Sequence, residues 1–285
     1  MVKHAYPQVN APAICNAFIL APASLLLLCW LAASQGLAIP QTATRDPQAV
    51  AIASRSLEAL SGGAAINDLT LQGPATYTVG GDVETGAVSL LASGNLASRV
   101  TLRLTDGQRT EVRNGAAGDW IGTDGTAHAM ALHNCWPDAD WFYPGLSFQA
   151  LNSDPGLGLA YVGLENKNGL AVQHLRLFRL VGSRSAAVVT AIQTLSAEDI
   201  YLDASSYLPR FLDFNLHPDD DFSRSIRVEI AFVGYQKVNG VAVPVRIQKY
   251  FNGGLLLDLS VASAGVNTGL PASDFHVTST TGGTE

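Results

Sequence analysis

The densest group of chemistry-bearing side chains in the sequence is His217 followed by three consecutive aspartates, in the stretch HPDDD (217–221). An imidazole beside carboxylates could ligate a metal ion or transfer protons. Calcium sites take six to eight oxygens from ligands that alternate along a loop, whereas adjacent aspartates point apart. Zinc needs further nitrogen or sulfur ligands, which the neighbouring sequence lacks. Proline and aspartate also form turns, so we predict an exposed turn that binds no metal.

A second candidate for acid–base chemistry is the pair Asp138 and Asp140, in the stretch CWPDADW. Catalysis there requires a partner base or nucleophile, and none is evident nearby. Cys135 has only His133 beside it, so we predict a buried, inert thiol. The sequence contains no G-x-S-x-G, H-E-x-x-H, C-x-x-C or G-x-x-x-x-G-K-[ST] motif. We therefore expect no catalytic residue and no cofactor, with a secreted hydrolase that uses the Asp138 region as an alternative.

The N-terminal segment has the features of a secretory signal peptide. Residues 17–33 are apolar and uncharged, Lys3 precedes them, and Gly36-Leu37-Ala38 offers a cleavage site. A single membrane anchor is the alternative, but the run is shorter than the roughly 20 apolar residues of a spanning helix, and Pro22 interrupts it. We predict a signal peptide over residues 1–38 and a periplasmic mature protein.

Composition and charge exclude some partners and favour a large core. The chain has 17 basic and 24 acidic residues, and loss of Lys3 with the signal peptide leaves 16 against 24, a net charge of −8. Such a protein gains nothing from counterion release on nucleic acid, and anionic membrane surfaces repel it. Because 47% of the residues are hydrophobic and 14% are charged, the chain can bury a large core, and we predict one domain over residues 39–276. The polar residues at the C-terminal end predict a disordered tail over 277–285.

One helix is predicted before the sequence changes to a strand pattern. Asp46 and Pro47 are typical of a helix N-terminus, apolar residues recur at helical spacing, and Gly62-Gly63 ends the pattern, so we predict a helix over 47–61. From Ile66 onward, apolar residues recur at every second position, which is the pattern of a β-strand. Asp106-Gly107 predicts the turn of a first hairpin, and further strands are predicted near 117–122 and 126–132. Residues 133–152 lack this period and predict a loop with a short helix after Pro144.

The C-terminal part gives the clearest strand pattern. Apolar and polar residues alternate, and Asn239-Gly240 and Asn252-Gly253 separate the runs as hairpin turns require. This spacing predicts an antiparallel meander with one apolar face. The residues expected to share the apolar face are Val228, Ile230, Phe232, Val243, Val245, Ile247, Leu257 and Leu259.

Three stretches of this region carry a family resemblance: YLDASSYLPR (201–210), FVGYQKVNGVAVPVRIQKYFNGG (232–254) and VASAGVNTGLPASDF (261–275). Their turn residues and order resemble the C-terminal half of the outer-membrane lipoprotein-sorting proteins, the LolA/LolB-like superfamily. The resemblance covers about residues 198–275. It implies a mainly β fold with a few helices: a strongly curved antiparallel sheet, an incomplete β-barrel, with helices covering its mouth and an apolar cavity for acyl chains.

On this basis we expect a periplasmic, non-enzymatic carrier for lipid or lipoprotein acyl chains, which also contacts envelope membrane proteins. The eight apolar residues above would line the cavity, and Trp136, Trp141 and Phe142 would form a lid. A curved sheet with one apolar face makes either a ligand cavity or a packed core. The alternative is therefore a structural or sensor domain of the cell envelope with the same fold and a packed interior.

Overall fold

The computed structural model describes residues 44–136, 141–182 and 184–278. The predicted signal peptide, Asp138 and Asp140, and residues 279–285 of the predicted tail lie outside the described residues. Thr278, which precedes them, donates hydrogen bonds to the Asp119 carboxylate. In the described ranges, no helix combines the length and the apolar character needed to cross a membrane.

The first helix, α1 (Pro47–Ser61), begins and ends where the sequence predicts. The Asp46 side chain accepts hydrogen bonds from the backbone N–H groups of Gln48 and Ala49, and Pro47 occupies the first helical position. Gly62 ends the helix with φ +62°, a left-handed conformation that glycine adopts without strain. One face of α1 is buried in the core, through Ala49, Ile52, Ala53 and Leu60.

The described residues form fourteen strands of one antiparallel sheet. Their bounds are β1 Asp68–Val79, β2 Asp82–Ser93, β3 Ala97–Leu104, β4 Gly107–Asn114, β5 Ala117–Ile121, β6 Ala127–Ala129, β7 Leu157–Lys167, β8 Leu170–Arg179, β9 Glu198–Asp203, β10 Pro209–Leu216, β11 Ile226–Val238, β12 Val241–Phe251, β13 Gly254–Ser260 and β14 Ser263–Val266. The strand order is β6-β5-β4-β3-β2-β1-β13-β12-β11-β10-β9-β8-β7, and β14 also pairs with β1.

The remaining helices are short. They are α2 (Leu132–Cys135), α3 (Gly145–Ala150), α4 (Ala186–Leu195) and a 3₁₀ helix (Ala272–Phe275). α3 is the helix predicted after Pro144, whereas α2 and α4 have no counterpart among the predicted elements. α2 takes the place of the end of the strand predicted over 126–132. α1 packs on α3, β12 and β7. The described residues form a mainly β fold with four α-helices, and their antiparallel sheet is not closed into a barrel. The predicted fold class, a mainly β fold with an incomplete curved barrel, is confirmed.

The hairpin turns follow the predicted chemistry with one shift. Asn239 and Gly240 both have positive φ, as do Asn252 and Gly253, which is the conformation that a two-residue hairpin turn requires. The predicted turn at Asp106-Gly107 is wrong by one residue, because Gly107 already pairs with Leu104 as the first residue of β4. Glycine is required there because φ is +138° and a Cβ atom would lie 3.0 Å from the Thr123 side chain.

Candidate functional site

The inner face of the sheet carries most of the predicted cavity residues. Strand registers align Leu212 with Ile230, Phe232 with Ile247, and Ile247 with Leu259, so these side chains point to the same side. Seven of the eight predicted residues are at most 2% exposed; they are Val228, Ile230, Phe232, Val243, Ile247, Leu257 and Leu259. In the described structure, a water molecule therefore has almost no access to them.

Val245 does not share this buried face, which corrects the prediction. It is 36% exposed, although Val243 and Ile247 on either side are fully buried. The adjacent β11 contains Gly234 with φ +65°, a left-handed conformation inside a strand. A Cβ atom on Gly234 would lie 2.8 Å from the Val245 side chain. This backbone irregularity interrupts the two-residue alternation, and the sequence pattern alone cannot show it.

A segment rich in aromatic residues covers the inner face. We call residues 141–148 the aromatic plug. Its large apolar side chains are at most 2% exposed and belong to the same buried cluster as the inner-face residues and α1; they are Trp141, Phe142, Tyr143, Leu146 and Phe148. Trp141 and Phe142, two of the three predicted lid residues, thus lie inside the core. Trp136, the third, is half-buried against the ends of β8 and β9.

A few polar contacts anchor the plug and the chain that follows it. The Tyr143 hydroxyl donates to the carbonyl oxygen of Ala242 on β12, over 3.1 Å, and burial raises the pKa of Tyr143. The Gln149 side chain exchanges two hydrogen bonds with the backbone of Ile66, of 2.7 and 2.9 Å. The Arg45 guanidinium donates to the carbonyl oxygens of Leu151 and Asp154, in the chain after α3, and of Leu157, the first residue of β7.

Lys249 is a charged residue on the inner face that the sequence-based predictions missed. It pairs with Ile230 on β11 and Leu257 on β13, both inner-face residues. The side chain is 6% exposed, and its Nζ lies 4.4 Å from the ring centroid of Trp141 in the plug. The two-residue alternation of β12 could have identified it, because Lys249 lies two residues after Ile247 and therefore on the same side of the strand.

An open groove of about 360 Å³ lies over the other half of the inner face, on β1 and β3–β5. This volume falls within the usual range for small-molecule sites, roughly 300–1,000 Å³. Its lining combines apolar and aromatic side chains with a few charged or polar ones: Tyr77, Val100, Leu102, Arg109, Thr110, Glu111, Trp120, Ile121 and Thr123, together with Gly122. The predicted cavity residues come from β11–β13, so none of them contributes to this groove.

Ion pairs fix the charged side chains of the groove. Arg109 binds both carboxylate oxygens of Glu84, over 3.0 and 3.2 Å, and lies 2.7 Å from Asp106. Arg113, which is buried, donates to Glu111 over 3.1 Å. Burial raises the pKa of Glu111, but the positive charges of Arg113 and Lys249 outweigh it and the pKa is lowered overall. Burial and the nearby Glu111 charge raise the pKa of Tyr77.

The HPDDD stretch forms the predicted turn between β10 and β11, but it is tied to α2. The Asp219 carboxylate accepts from the backbone N–H of Ala131 and from the Asn134 amide, both over 2.9 Å. Asn134 also exchanges two hydrogen bonds with the His217 backbone. His217 is buried and its Nδ1 donates to the Arg224 carbonyl oxygen. Within the described ranges no three or more His, Cys, Asp and Glu side chains form a possible metal site, and the absence of metal stays a prediction.

The outer face of β7–β11 holds a network of ion pairs. His174 lies between Asp199 and Glu165, at 2.8 and 2.9 Å, and stacks on Tyr201. Lys167 binds Asp213 over 2.7 Å. A groove of about 570 Å³ separates this network from α4. Its ionic side chains are largely satisfied by one another, so this arrangement serves the packing of the outer face. Cys135, on α2, is buried as predicted.

The fold and the site together define an open half-barrel whose inner face is covered over β11–β13 by α1 and the aromatic plug and carries an open groove over β1 and β3–β5. No protein-family model matches the sequence, and no curated protein matches it. Among solved structures, a domain assigned to the outer membrane lipoprotein-sorting proteins of Vibrio parahaemolyticus is similar, with a TM-score of 0.50 and 13% identity, over 80% of this chain and 96% of that chain. The chain therefore has a LolA-like fold, which confirms the predicted resemblance at the level of the fold.

Two further solved structures are similar over comparable lengths. A LolA superfamily protein from Nitrosomonas europaea has 13% identity and a TM-score of 0.48, with 80% of this chain and 97% of that chain covered. A DUF1329 family protein from Desulfovibrio piger has 12% identity and a TM-score of 0.49, with 80% and 96% covered.

Proposed function

We propose that this protein binds the acyl chains of a lipid or a lipoprotein on the inner face of its half-barrel and carries them in the periplasm. The observation that carries the proposal is the plug. Five large apolar side chains of one short segment cover an apolar face that the sheet itself leaves open. The segment includes the first four residues of α3 and pairs with no strand of the sheet. Its displacement uncovers a continuous apolar surface beside the existing groove.

The size of the plug indicates the size of the ligand. Burial of a large apolar side chain contributes about 1.5–3 kcal/mol, and burial of one methylene group about 0.8 kcal/mol. A ligand that replaces the five plug side chains must therefore bury on the order of a dozen methylene groups. An acyl chain of ordinary length meets this requirement, whereas a small polar metabolite does not. The acidic net charge gives no means of binding nucleic acid.

The burial of the plug and of the inner-face side chains also favours a second function. Because the plug and seven inner-face side chains are almost inaccessible, the interior resembles a packed core, which suits a structural or sensor domain of the envelope. In both functions we propose that the protein is not an enzyme, since the sequence lacks the nucleophile and metal motifs of hydrolases. The two functions differ in whether the plug leaves the inner face.

Titration with a fluorescent fatty acid separates the two functions. Tyr143→Phe and Gln149→Ala each remove polar contacts that anchor the plug. A carrier with a displaceable plug should bind the probe, and each variant should bind it about 2–10-fold more tightly, because a lost hydrogen bond of ~0.5–1.5 kcal/mol raises the open fraction.

Tyr235→Phe is the matched control. The Tyr235 hydroxyl also donates to a backbone carbonyl oxygen, that of Pro209, but it joins β11 to β10 and leaves the plug anchored. Its probe affinity should equal that of the wild type. If neither the wild type nor the two plug variants bind the probe, the carrier function is wrong and the packed structural or sensor domain is correct.

A further inference from the structure

The open groove over β1 and β3–β5 has an exposed tryptophan at its edge. Strand pairing places Glu111, Trp120 and His128 in one row across β4, β5 and β6. The Trp120 indole stacks on the His128 imidazole, with ring centroids 4.0 Å apart and an angle of 14° between the planes. The stacked face is therefore turned towards β6, and the opposite face is turned towards β4 and the groove. Trp120 is 41% exposed, so in the described structure this second face is open to a ligand.

The charged side chains at the groove cancel one another. Three are positive and three are negative, and each lies in an ion pair or near an opposite charge: Arg109, Arg113, Lys249, Glu84, Asp106 and Glu111. A charged ligand therefore gains little net attraction from the groove. The groove suits an uncharged ligand better.

Polar groups of the groove can still bond to an uncharged ligand. Glu84 and Asp106 hold the Arg109 guanidinium in place, and further N–H groups of the guanidinium are left for a ligand. The hydroxyl groups of Tyr77 and Thr123, which also line the groove, can both donate and accept. A guanidinium that is already fixed loses little freedom when it binds a ligand.

A sugar ring combines the features that this groove selects. It is uncharged, one of its faces consists of C–H groups that pack on an aromatic face, and its hydroxyls bond to donors and acceptors around it. We infer that the open groove binds an uncharged sugar ring, which stacks on Trp120 and accepts hydrogen bonds from Arg109.

The sugar can be a free saccharide or the head group of an amphiphile. The groove adjoins the plug-covered half of the inner face, because Tyr77 in the groove lining pairs with the buried Leu257 of β13. A head group in the groove is therefore next to the surface on which we propose that the acyl chain lies. The head-group alternative rests on the proposed function, whereas recognition of the sugar rests on the groove alone.

Isothermal titration calorimetry with matched small ligands tests this inference. The ligands are octyl β-glucoside, octanol, octanoate and methyl β-glucoside, below their micelle concentrations and at fixed ionic strength. Octyl β-glucoside should bind about 10-fold or more tightly than octanol, because its hydroxyls bond to a charged guanidinium. Octanoate should bind no more tightly than octanol, because the charges of the groove cancel. Methyl β-glucoside should bind as tightly as octyl β-glucoside if the ligand is a free saccharide, and much more weakly if it is a head group.

Substitutions at Trp120 assign the preference to the groove. Trp120→Ala removes the open aromatic face and should weaken binding of octyl β-glucoside by about 3–10-fold, with a much smaller effect on octanol. Trp120→Phe keeps a smaller ring and should retain part of the preference. Because Trp120 is exposed, both variants should fold, which thermal unfolding checks.

Phe222→Ala is the matched control. Phe222 is also exposed, at 66%, but it lies between β10 and β11 and does not line the groove. Its affinities for all the ligands should equal those of the wild type.

The possible failures separate this inference from the proposed function. Equal binding of octyl β-glucoside and octanol overturns the sugar site and leaves acyl-chain binding intact. A preference for octanoate, or a glucoside preference that survives Trp120→Ala or is lost in Phe222→Ala, also overturns the sugar site. Binding of both glucosides without binding of octanol or octanoate supports the sugar site and overturns the proposed function. Binding of none of the ligands overturns both.

Discussion

At the scale of single residues, turn-forming side chains explain the motifs of the C-terminal half. Asp203, in the stretch YLDASSYLPR, accepts hydrogen bonds from both the backbone and the hydroxyl groups of Ser205 and Ser206. These bonds lower the pKa of Asp203 to about 2, the Ser205 hydroxyl being the largest cause. Because the folded-state pKa is depressed, the stabilisation is present above the ordinary aspartate pKa and is lost as the pH falls towards 2.

The acidic triplet gives a prediction at the same scale. Asp219→Ala should lower the free energy of unfolding by about 1–2 kcal/mol, because the Ala131 N–H and the Asn134 amide lose their acceptor. For a domain of this size that corresponds to a fall in melting temperature of roughly 2–8 °C. Asp220→Ala, at an exposed neighbouring position, is the control and should melt like the wild type.

Calcium distinguishes this structural role from a metal site. Addition of calcium or of a chelator should leave the melting temperature of the wild type and of both variants unchanged. A rise with calcium that is lost when Asp219, Asp220 and Asp221 are all replaced by Asn would contradict the metal-free turn.

At the scale of elements, the sheet and the plug depend on each other. β11–β13 supply an apolar face, and the plug supplies the side chains that bury it. Over β1 and β3–β5, the part of the chain that the structure describes leaves an open groove. The inner face is thus divided into a closed half and an open half, and the boundary passes near Lys249 on β12.

A pair of bulky substitutions on β12 tests this division. Ile247→Trp should overpack the closed half, lowering the free energy of unfolding by about 1–3 kcal/mol and weakening binding of a fluorescent acyl probe. Val245→Trp adds the same side chain at an exposed position, so we expect wild-type stability and wild-type probe binding. Denaturant unfolding and probe titration measure both effects. Destabilisation by Val245→Trp together with tolerance of Ile247→Trp would show that the inner face is assigned wrongly.

At the scale of the whole molecule, the predicted export and the proposed binding of an acyl chain fit one another. An insoluble chain crossing an aqueous compartment needs a protein that buries it, and the open half-barrel offers an apolar inner face with a separate polar outer face. The outer face is held by ion pairs such as Lys167–Asp213 and Arg176–Asp199. These pairs keep the outer face polar, whereas the inner face over β11–β13 is mostly apolar.

We expect the mature protein to begin close to Ile39. The uncharged run 17–33 and the Gly36-Leu37-Ala38 site predict cleavage after Ala38. N-terminal sequencing of protein recovered from the periplasm of a Gram-negative host should give a sequence that starts near Ile39. Recovery of an intact Met1–Ala38 segment embedded in the membrane would instead support the membrane anchor.

Local chemistry allowed the elements to be predicted from the sequence. The Asp46-Pro47 start and the Gly62 end of α1, the Asn-Gly turns and the two-residue period of β11–β13 all depend on residues close together in the chain. Backbone hydrogen bonding and side-chain alternation act over these short distances, so the antiparallel meander and most buried inner-face residues followed from them, whereas the incomplete barrel was implied by the family resemblance. The exposed Val245 shows the limit, because the left-handed Gly234 on the neighbouring strand interrupts the local pattern. The helix α4 was missed, although the Ser185 side chain that caps it is a local signal.

The sequence suggested a lid that contains Trp141 and Phe142, but only the tertiary structure showed that both are buried in the core against the inner face. Tyr143 meets Ala242, and Trp141 meets Lys249, across about 100 residues of chain. Periodicity assigns a side chain to one side of a strand, but it contains no information on which distant segment packs there. For the same reason the sequence indicated an apolar face without showing that half of it is closed by the plug and half is an open groove. That division arises because burial is a property of contacts between distant segments, and only the folded chain brings them together.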